Sequence, residues 1–223
     1  MLSMREVGVG VFAAVLLYGG PAALASVDTN NNCLPPENAN AGYVGSFSTQ
    51  YSNGVIFANP VVSAFTACSI PPLFGTNGES FGATVDFDLS LDGTNFTHYT
   101  ANANVFVFDS FNHTSGNQSF YDTQVTQFDV SGGDLPANEE VRESPTLSST
   151  GQTVVTDLGG GSYRIDSFFD VFTEISLDGG LNWSPSTTGS GHLDLEPIPE
   201  PGDLALLAAA FGGLAVVRRR APR

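Results

Sequence analysis

Residues 85–93, VDFDLSLDG, contain the pattern that decides the fold of this chain. Apolar side chains stand at the odd positions, and polar side chains, mostly aspartate, stand at the even ones. Because successive side chains of a β-strand point to opposite faces, this period of two predicts a strand with one buried and one acidic face. The apolar row is Val85, Phe87, Leu89 and Leu91, and the polar row is Asp86, Asp88, Ser90 and Asp92.

The same alternation recurs along the rest of the chain. Residues 171–178 place Val171, Thr173, Ile175 and Leu177 on one face of a second strand. Glycine-rich turns separate further candidate strands, and no segment between the two ends has the period of an amphipathic helix. This pattern predicts an all-β fold, an antiparallel sandwich of jelly-roll or immunoglobulin-like type, with a barrel as the alternative. The further candidate strands are 54–58, 103–109, 124–130, 153–157 and 162–169.

Two stretches of the chain echo each other. Residues 85–96 (VDFDLSLDGTNF) and 171–183 (VFTEISLDGGLNW) each end a strand in Ser-Leu-Asp-Gly before an aromatic residue, which predicts two related hairpins. Duplication and local convergence both remain open as the origin of this echo. The second copy resembles the Asp-box of sialidases, which implies a turn whose aspartate caps backbone N–H groups and which takes no part in catalysis. Its matching residues are Ser176, Asp178, Gly180 and Trp183.

Charge excludes one class of partner. The formal net charge is -16, the chain has no lysine, and Arg142 and Arg164 are the only arginines between the two ends. Nucleic acid is therefore not expected as a partner, because phosphate binding requires a basic face. Each arginine is expected to pair with an acidic residue close to it in the sequence, Arg142 with Glu143 and Arg164 with Asp166.

Cys33 and Cys68 are the two cysteines of the chain. A disulfide between them would close a loop of about 35 residues and contribute roughly 3 to 4 kcal/mol. Export to an oxidising compartment favours the disulfide, and two buried free thiols are the alternative.

The N-terminal residues 1–25 have the organisation of a secretory signal peptide. A short segment containing Arg5 precedes an apolar helix-forming stretch at 7–18, and the segment ends in the small residues Ala23 and Ala25. This order predicts recognition by the Sec translocon and cleavage by signal peptidase before Ser26.

The C-terminal residues combine three features in a fixed order. Pro199, Glu200 and Pro201 precede an apolar stretch at 204–217, and an arginine cluster follows it. A helix of about 14 residues rises only about 21 Å, so the predicted transmembrane segment is a marginal anchor. Arginines on the cytoplasmic side would leave the acidic domain outside the inner membrane. The cluster is Arg218, Arg219 and Arg220.

This tail, residues 197–223, resembles the PEP-CTERM sorting signal of Gram-negative bacteria, which has the same three features in the same order. The resemblance implies processing by exosortase, a membrane-embedded cysteine protease, after transient anchoring in the inner membrane. It also implies delivery to the cell surface or to an exopolysaccharide matrix. The Pro-Glu-Pro residues would be recognised by exosortase, which supplies the nucleophile; a plain tail anchor is the alternative.

Residues between the ends offer little chemistry. The acidic row of Asp86, Asp88 and Asp92 could supply oxygens to Ca²⁺, but a solvated strand face explains it better. The histidines have no second ligand at metal-binding spacing, and no nucleophile elbow is present. No metal, no cofactor and no enzymatic activity are therefore expected. The histidines are His98, His113 and His192.

The sequence thus predicts a β domain at 26–196 between two targeting segments. Its expected function is that of a non-enzymatic surface or exopolysaccharide-matrix protein. The alternative is a carbohydrate-binding module that stacks sugars on exposed aromatic rings, and a secreted glycosidase is a weaker alternative. The candidate rings are those of Trp183, Tyr99 and Phe96.

Overall fold

The computed structural model describes residues 26–36 and 40–198 of the chain. Most residues of the two targeting segments lie outside this range, so their predicted structures and roles are not part of the described fold. Within the range, no helix is long and apolar enough to cross a membrane. The predicted features outside the described residues are Ala23 and Ala25, the Pro199, Glu200 and Pro201 motif, the 204–217 helix, and Arg218, Arg219 and Arg220.

Thirteen β-strands and no helices form the described part of the chain. The all-β prediction is therefore confirmed, and every strand pairing in it is antiparallel. The strands are β1 (Val27–Thr29), β2 (Ala41–Val44), β3 (Ser48–Gln50), β4 (Ile56–Ser63), β5 (Thr76–Ser90), β6 (Thr97–Ser115), β7 (Gln118–Ser131), β8 (Glu140–Glu143), β9 (Ser149–Gly159), β10 (Ser162–Val171), β11 (Thr173–Ser176), β12 (Ser184–Pro185) and β13 (Gly191–Pro197).

Eight of these strands close into a barrel. The order of hydrogen-bonded neighbours is β2, β4, β5, β6, β7, β9, β10 and β13, and β13 pairs again with β2. The step that closes the ring is made by β9, which pairs with β7 on one side and with β10 on the other. Short strands extend this ring: β1 lies beside β10, β3 beside β4, and β8, β11 and β12 beyond β7.

The closed ring corrects the prediction of a sandwich. A sandwich has two sheets with free edges, whereas each of the eight strands here has a bonded neighbour on both sides. The alternation in the sequence could not separate the two folds, because both require one inward-facing apolar row per strand.

Three of the four residues in the first predicted apolar row belong to the core. Val85, Phe87 and Leu89 are almost fully buried inside the barrel. Leu91, expected in the same row, is 50% exposed because β5 ends at Ser90 and the chain turns away.

The second alternating stretch departs from its prediction in a similar way. Leu177 is exposed beyond the end of β11, although it was expected to be buried. Glu174 and Ser176, expected on a solvent face, are buried. β8 and β12 pair with the two edges of this short strand, and Arg142 on β8 donates to the Glu174 carboxylate.

Side chains fill the barrel interior. A cavity in the core has a volume of only about 30 Å³ and an apolar lining that includes Tyr43, Phe81 and Phe169. The space is about that of one water molecule, so the interior is a packed core and not a chamber for a ligand.

Gly151 lies at the closing strand, where neighbouring atoms leave no room for a side chain. A Cβ atom built there would lie 2.1 Å from the carbonyl oxygen of Phe168 and 2.8 Å from Oγ1 of Thr123. The absence of a side chain therefore lets β9 lie between its two neighbours.

Substitution Gly151→Ala should destabilise the protein by about 2 kcal/mol, because backbone atoms of β10 would have to move. Thr150→Ala, at an exposed position of the same strand, should change stability by less than about 0.5 kcal/mol. Urea unfolding of the two variants measures the difference. Equal stability of the two variants would contradict close packing at the closing strand.

Candidate functional site

The Cys33–Cys68 disulfide joins the N-terminal segment to the stretch between β4 and β5. Its Cα atoms are 5.4 Å apart. Beside it, Leu34 and Ser69 exchange two backbone hydrogen bonds of 2.8 Å. This is the pairing that the sequence favoured over free thiols. Residues 64–75, named the mouth segment here, are thereby held against one end of the barrel.

The mouth segment is attached to β5 and β6 at several points. Thr66 donates its N–H to the carbonyl of Gly82 and accepts the N–H of Gly82 at Oγ1. Phe65 packs against Phe81 with the ring centroids 5.7 Å apart. At the other end of the segment the N–H of Phe111 donates to the carbonyl of Gly75. The segment thus runs along the part of β5 that has no β4 neighbour.

Two carboxyl groups are buried directly behind this segment. Glu79 on β5 is 6% exposed, and Asp109 on β6 is 3% exposed. Glu79 is the register partner of Val107, so Asp109 lies diagonally across from it on the same inward face. The Asp109 carboxyl and the Ser69 hydroxyl of the mouth segment both lie within hydrogen-bonding reach of the Glu79 carboxyl.

Burial changes the proton affinity of both groups. Desolvation, the charge of Asp109 and the hydrogen bond between the carboxyls raise the pKa of Glu79 to about 9. Desolvation also raises the pKa of Asp109 to about 6. Two adjacent buried carboxyls cannot both ionise without a large cost in free energy, so the pair retains a proton at neutral pH.

Hydroxyl groups surround the carboxyl pair on the same inward face. The Tyr43 hydroxyl donates to Oγ of Ser167 at 3.1 Å, and Oγ of Ser167 lies 2.8 Å from Oγ1 of Thr153. Two buried oxygens, Oε2 of Glu79 and Oγ1 of Thr123, have no hydrogen-bond partner. The barrel interior is therefore polar at this end, next to the apolar core.

The sequence prediction missed this carboxyl pair, although a signal was present. Glu79 has the same parity as the buried residues Phe81 and Ala83 on β5, and Asp109 has the same parity as Val107 on β6. Extending the period of two back from Val85 would have turned Glu79 inward, and the alternation within the predicted strand 103–109 already places Asp109 on the inner face.

Side chains on the outside of the barrel hydrogen-bond the predicted acidic row. Oδ1 of Asp88 lies 3.1 Å from Nδ1 of His98, and its Oδ2 accepts a 3.1 Å bond from Asn59. These bonds, that from Asn59 first, lower the pKa of Asp88. Asp86 accepts a hydrogen bond from Thr100. Asp92 lies beyond the strand end and does not continue the row.

The two Ser-Leu-Asp-Gly stretches form closely similar turns. Asp92 accepts the N–H groups of Thr94 and Asn95 at 2.8 and 2.7 Å, and Ser90 donates to it at 3.1 Å. In the second turn Asp178 accepts the N–H of Asn182 at 2.8 Å and the hydroxyl of Ser176 at 2.9 Å. The aspartates therefore cap backbone N–H groups, as expected for an Asp-box-like turn.

Both arginines of the described domain pair with acids distant in sequence, which corrects the prediction of local pairs. Arg142 donates two hydrogen bonds of 3.1 and 2.7 Å to Oε2 of Glu174, not to Glu143. Arg164 donates two bonds, of 2.7 and 3.1 Å, to Asp28. Cross-strand register brings these partners together, because Arg142 faces Glu174 and Arg164 faces Asp28.

The candidate sugar-stacking rings differ in availability. The Arg142 guanidinium lies 4.0 Å from the centroid of the Trp183 ring and covers one face of it. Tyr99 packs against Phe87 at 6.0 Å between ring centroids. Phe96 is half exposed. The three rings therefore do not form one free stacking platform.

The other histidines also lie at the surface. His192 lies between Asp170 and Asp194, with Nδ1 2.8 Å from Asp170, and these contacts raise its pKa. His113 stacks on Phe120 with the ring centroids 4.4 Å apart. Among residues 26–36 and 40–198, no three His, Cys, Asp or Glu side chains are grouped so that they could hold a metal ion.

Comparison with protein families, with curated proteins and with solved structures finds no match for this chain.

The two arginine pairs provide a matched test of the Arg142 cluster. Arg142→Ala should cost about 2 to 3 kcal/mol, because it leaves the buried Glu174 carboxylate without its cation. Arg164→Ala should leave stability almost unchanged, because its pair with Asp28 is exposed and screened by solvent. Thermal unfolding at neutral pH compares them. A cost for Arg164→Ala as large as that for Arg142→Ala would show that burial does not distinguish the pairs.

Proposed function

We propose that this chain is an exported, non-enzymatic component of the bacterial cell surface or exopolysaccharide matrix. The Sec translocon carries it across the inner membrane, and signal peptidase removes residues 1–25. Exosortase then recognises Pro199, Glu200 and Pro201 and processes the C-terminal segment. The closed β domain is the part that reaches the surface.

The Cys33–Cys68 disulfide is the observation that carries this proposal. It forms close to the start of the mature chain and ties the N-terminal segment to the mouth segment. Disulfides of this structural kind persist in oxidising compartments and are rare in the bacterial cytoplasm. A domain held in this way is suited to the environment to which the two terminal segments would direct it.

The arrangement of polar groups favours a role without catalysis. The carboxyl pair, which is the strongest candidate for acid–base chemistry, is buried behind the mouth segment. A general acid or base must come within hydrogen-bond reach of its substrate. Glu79 and Asp109 are 6% and 3% exposed, so neither carboxyl is presented to a substrate at the surface of the closed domain.

A carbohydrate-binding module is the alternative function, and Phe96 is the aromatic side chain that favours it because half of its surface is exposed. Sugar binding to the full-length chain on a glycan array would support the alternative. Loss of that binding in Phe96→Ala, but not in Trp183→Ala, would assign it to this ring.

Intact mass of the protein recovered from its native host tests the proposed maturation. The mature protein should begin at Ser26 and lack the C-terminal arginines. A variant with Pro199, Glu200 and Pro201 all changed to alanine should retain those arginines, while its N-terminal cleavage is unchanged. Retention of the arginines in the unaltered protein would leave a simple membrane anchor and would contradict exosortase processing.

A further inference from the structure

The Glu79–Asp109 pair is linked to a segment with an unusually apolar surface. Ser69, which hydrogen-bonds Glu79, belongs to the mouth segment. The same segment carries three of the most exposed large apolar side chains of the described residues, Ile70, Leu73 and Phe74, with exposures of 68%, 76% and 84%. One segment of the chain thus carries both the Ser69 contact with the carboxyl pair and an exposed apolar surface.

No positive side chain is available to neutralise the pair. Among the described residues, Arg142 and Arg164 are bound to Glu174 and Asp28. The three histidines contact Asp88, Asn112 and Asp170. Loss of the shared proton would therefore leave a second negative charge in the barrel, and no positive side chain would compensate it.

The other groups facing the pair are neutral hydroxyls. Tyr43 from β2 and Tyr121 from β7 both sense the charge of Asp109, which raises their pKa values further. Ser69 approaches from the mouth segment. None of these groups can supply a positive charge.

We propose that the Glu79–Asp109 pair is a proton-operated latch that fixes the mouth segment to the barrel. With a proton shared between them, the two carboxyls bond each other and hold Ser69. When that proton is lost, two carboxylates repel each other in a buried site, and water enters as the mouth segment moves away. The Cys33–Cys68 disulfide keeps the released segment tethered. This inference does not depend on export or processing.

The sign of the effect follows from the raised pKa values. A carboxyl that holds its proton more tightly in the closed state favours closure at low pH. Closure therefore weakens as the pH rises from the pKa of an ordinary carboxyl group to the raised pKa of Glu79, about 9.

Hydrogen exchange of the full-length, oxidised chain between about pH 5 and about pH 10 tests the latch. After correction for the intrinsic pH dependence of exchange, protection of amides in residues 64–75 should fall about tenfold per pH unit between the raised pKa values of Asp109, about 6, and Glu79, about 9, because opening releases one proton in that range. Protection should then level off above the raised pKa of Glu79. Amides of β9 and β10 should stay protected, because release is local. The double variant Glu79→Gln/Asp109→Asn, which removes both titrating groups, should make protection of the mouth segment independent of pH.

Asp88→Asn is the matched control, because Asp88 is a carboxyl on the outer face of the same strand, and it should behave like the unaltered chain. Equal protection of the unaltered mouth segment at both ends of the pH range would overturn the proposal, as would an unchanged pH dependence in the double variant. If that variant does not fold, infrared spectra of the unaltered protein decide. A protonated carboxyl band at pH 8 supports the latch, and its absence contradicts it.

Discussion

Closure of the eight-strand ring is the constraint on which the rest of this structure depends. β9 bonds β7 through one edge and β10 through the other, so the sheet has no free edge at this point. Because the ring is closed, every strand must direct one row of side chains to the same interior. Gly151 allows the closing strand to fit, since a side chain there would meet the backbone of β10.

The same constraint produces the unusual chemistry of the barrel end. Strand alternation also directs into the barrel the side chains that continue the inward rows past the apolar core. Glu79 and Asp109 continue the inward rows of β5 and β6. At this end the mouth segment, the N-terminal segment and the disulfide cover the interior. Enclosure without a positive partner then raises the proton affinity of both carboxyls. Packing and acid–base behaviour are thus consequences of one geometry.

Local pattern predicted much of the fold but little of the site. The inward row of Val85, Phe87 and Leu89 follows from alternation alone, and both Ser-Leu-Asp-Gly turns follow from side-chain capping. Strand ends were harder to predict from the sequence. Leu91 and Leu177 are exposed because the alternating pattern continues past the ends of β5 and β11. Partners of Arg142 and Arg164 could not be predicted, because they depend on a register between strands far apart in sequence. Whether the sheet closes is likewise a matter of long-range pairing that one strand's pattern does not contain.

Cross-strand proton contacts measured by NMR test closure most directly. Gly151 faces Thr123 on β7 and Phe169 on β10, so a closed ring requires backbone nuclear Overhauser effects from Gly151 to both residues. Effects to only one of the two would mean that the sheet is open at β9 and would contradict the barrel.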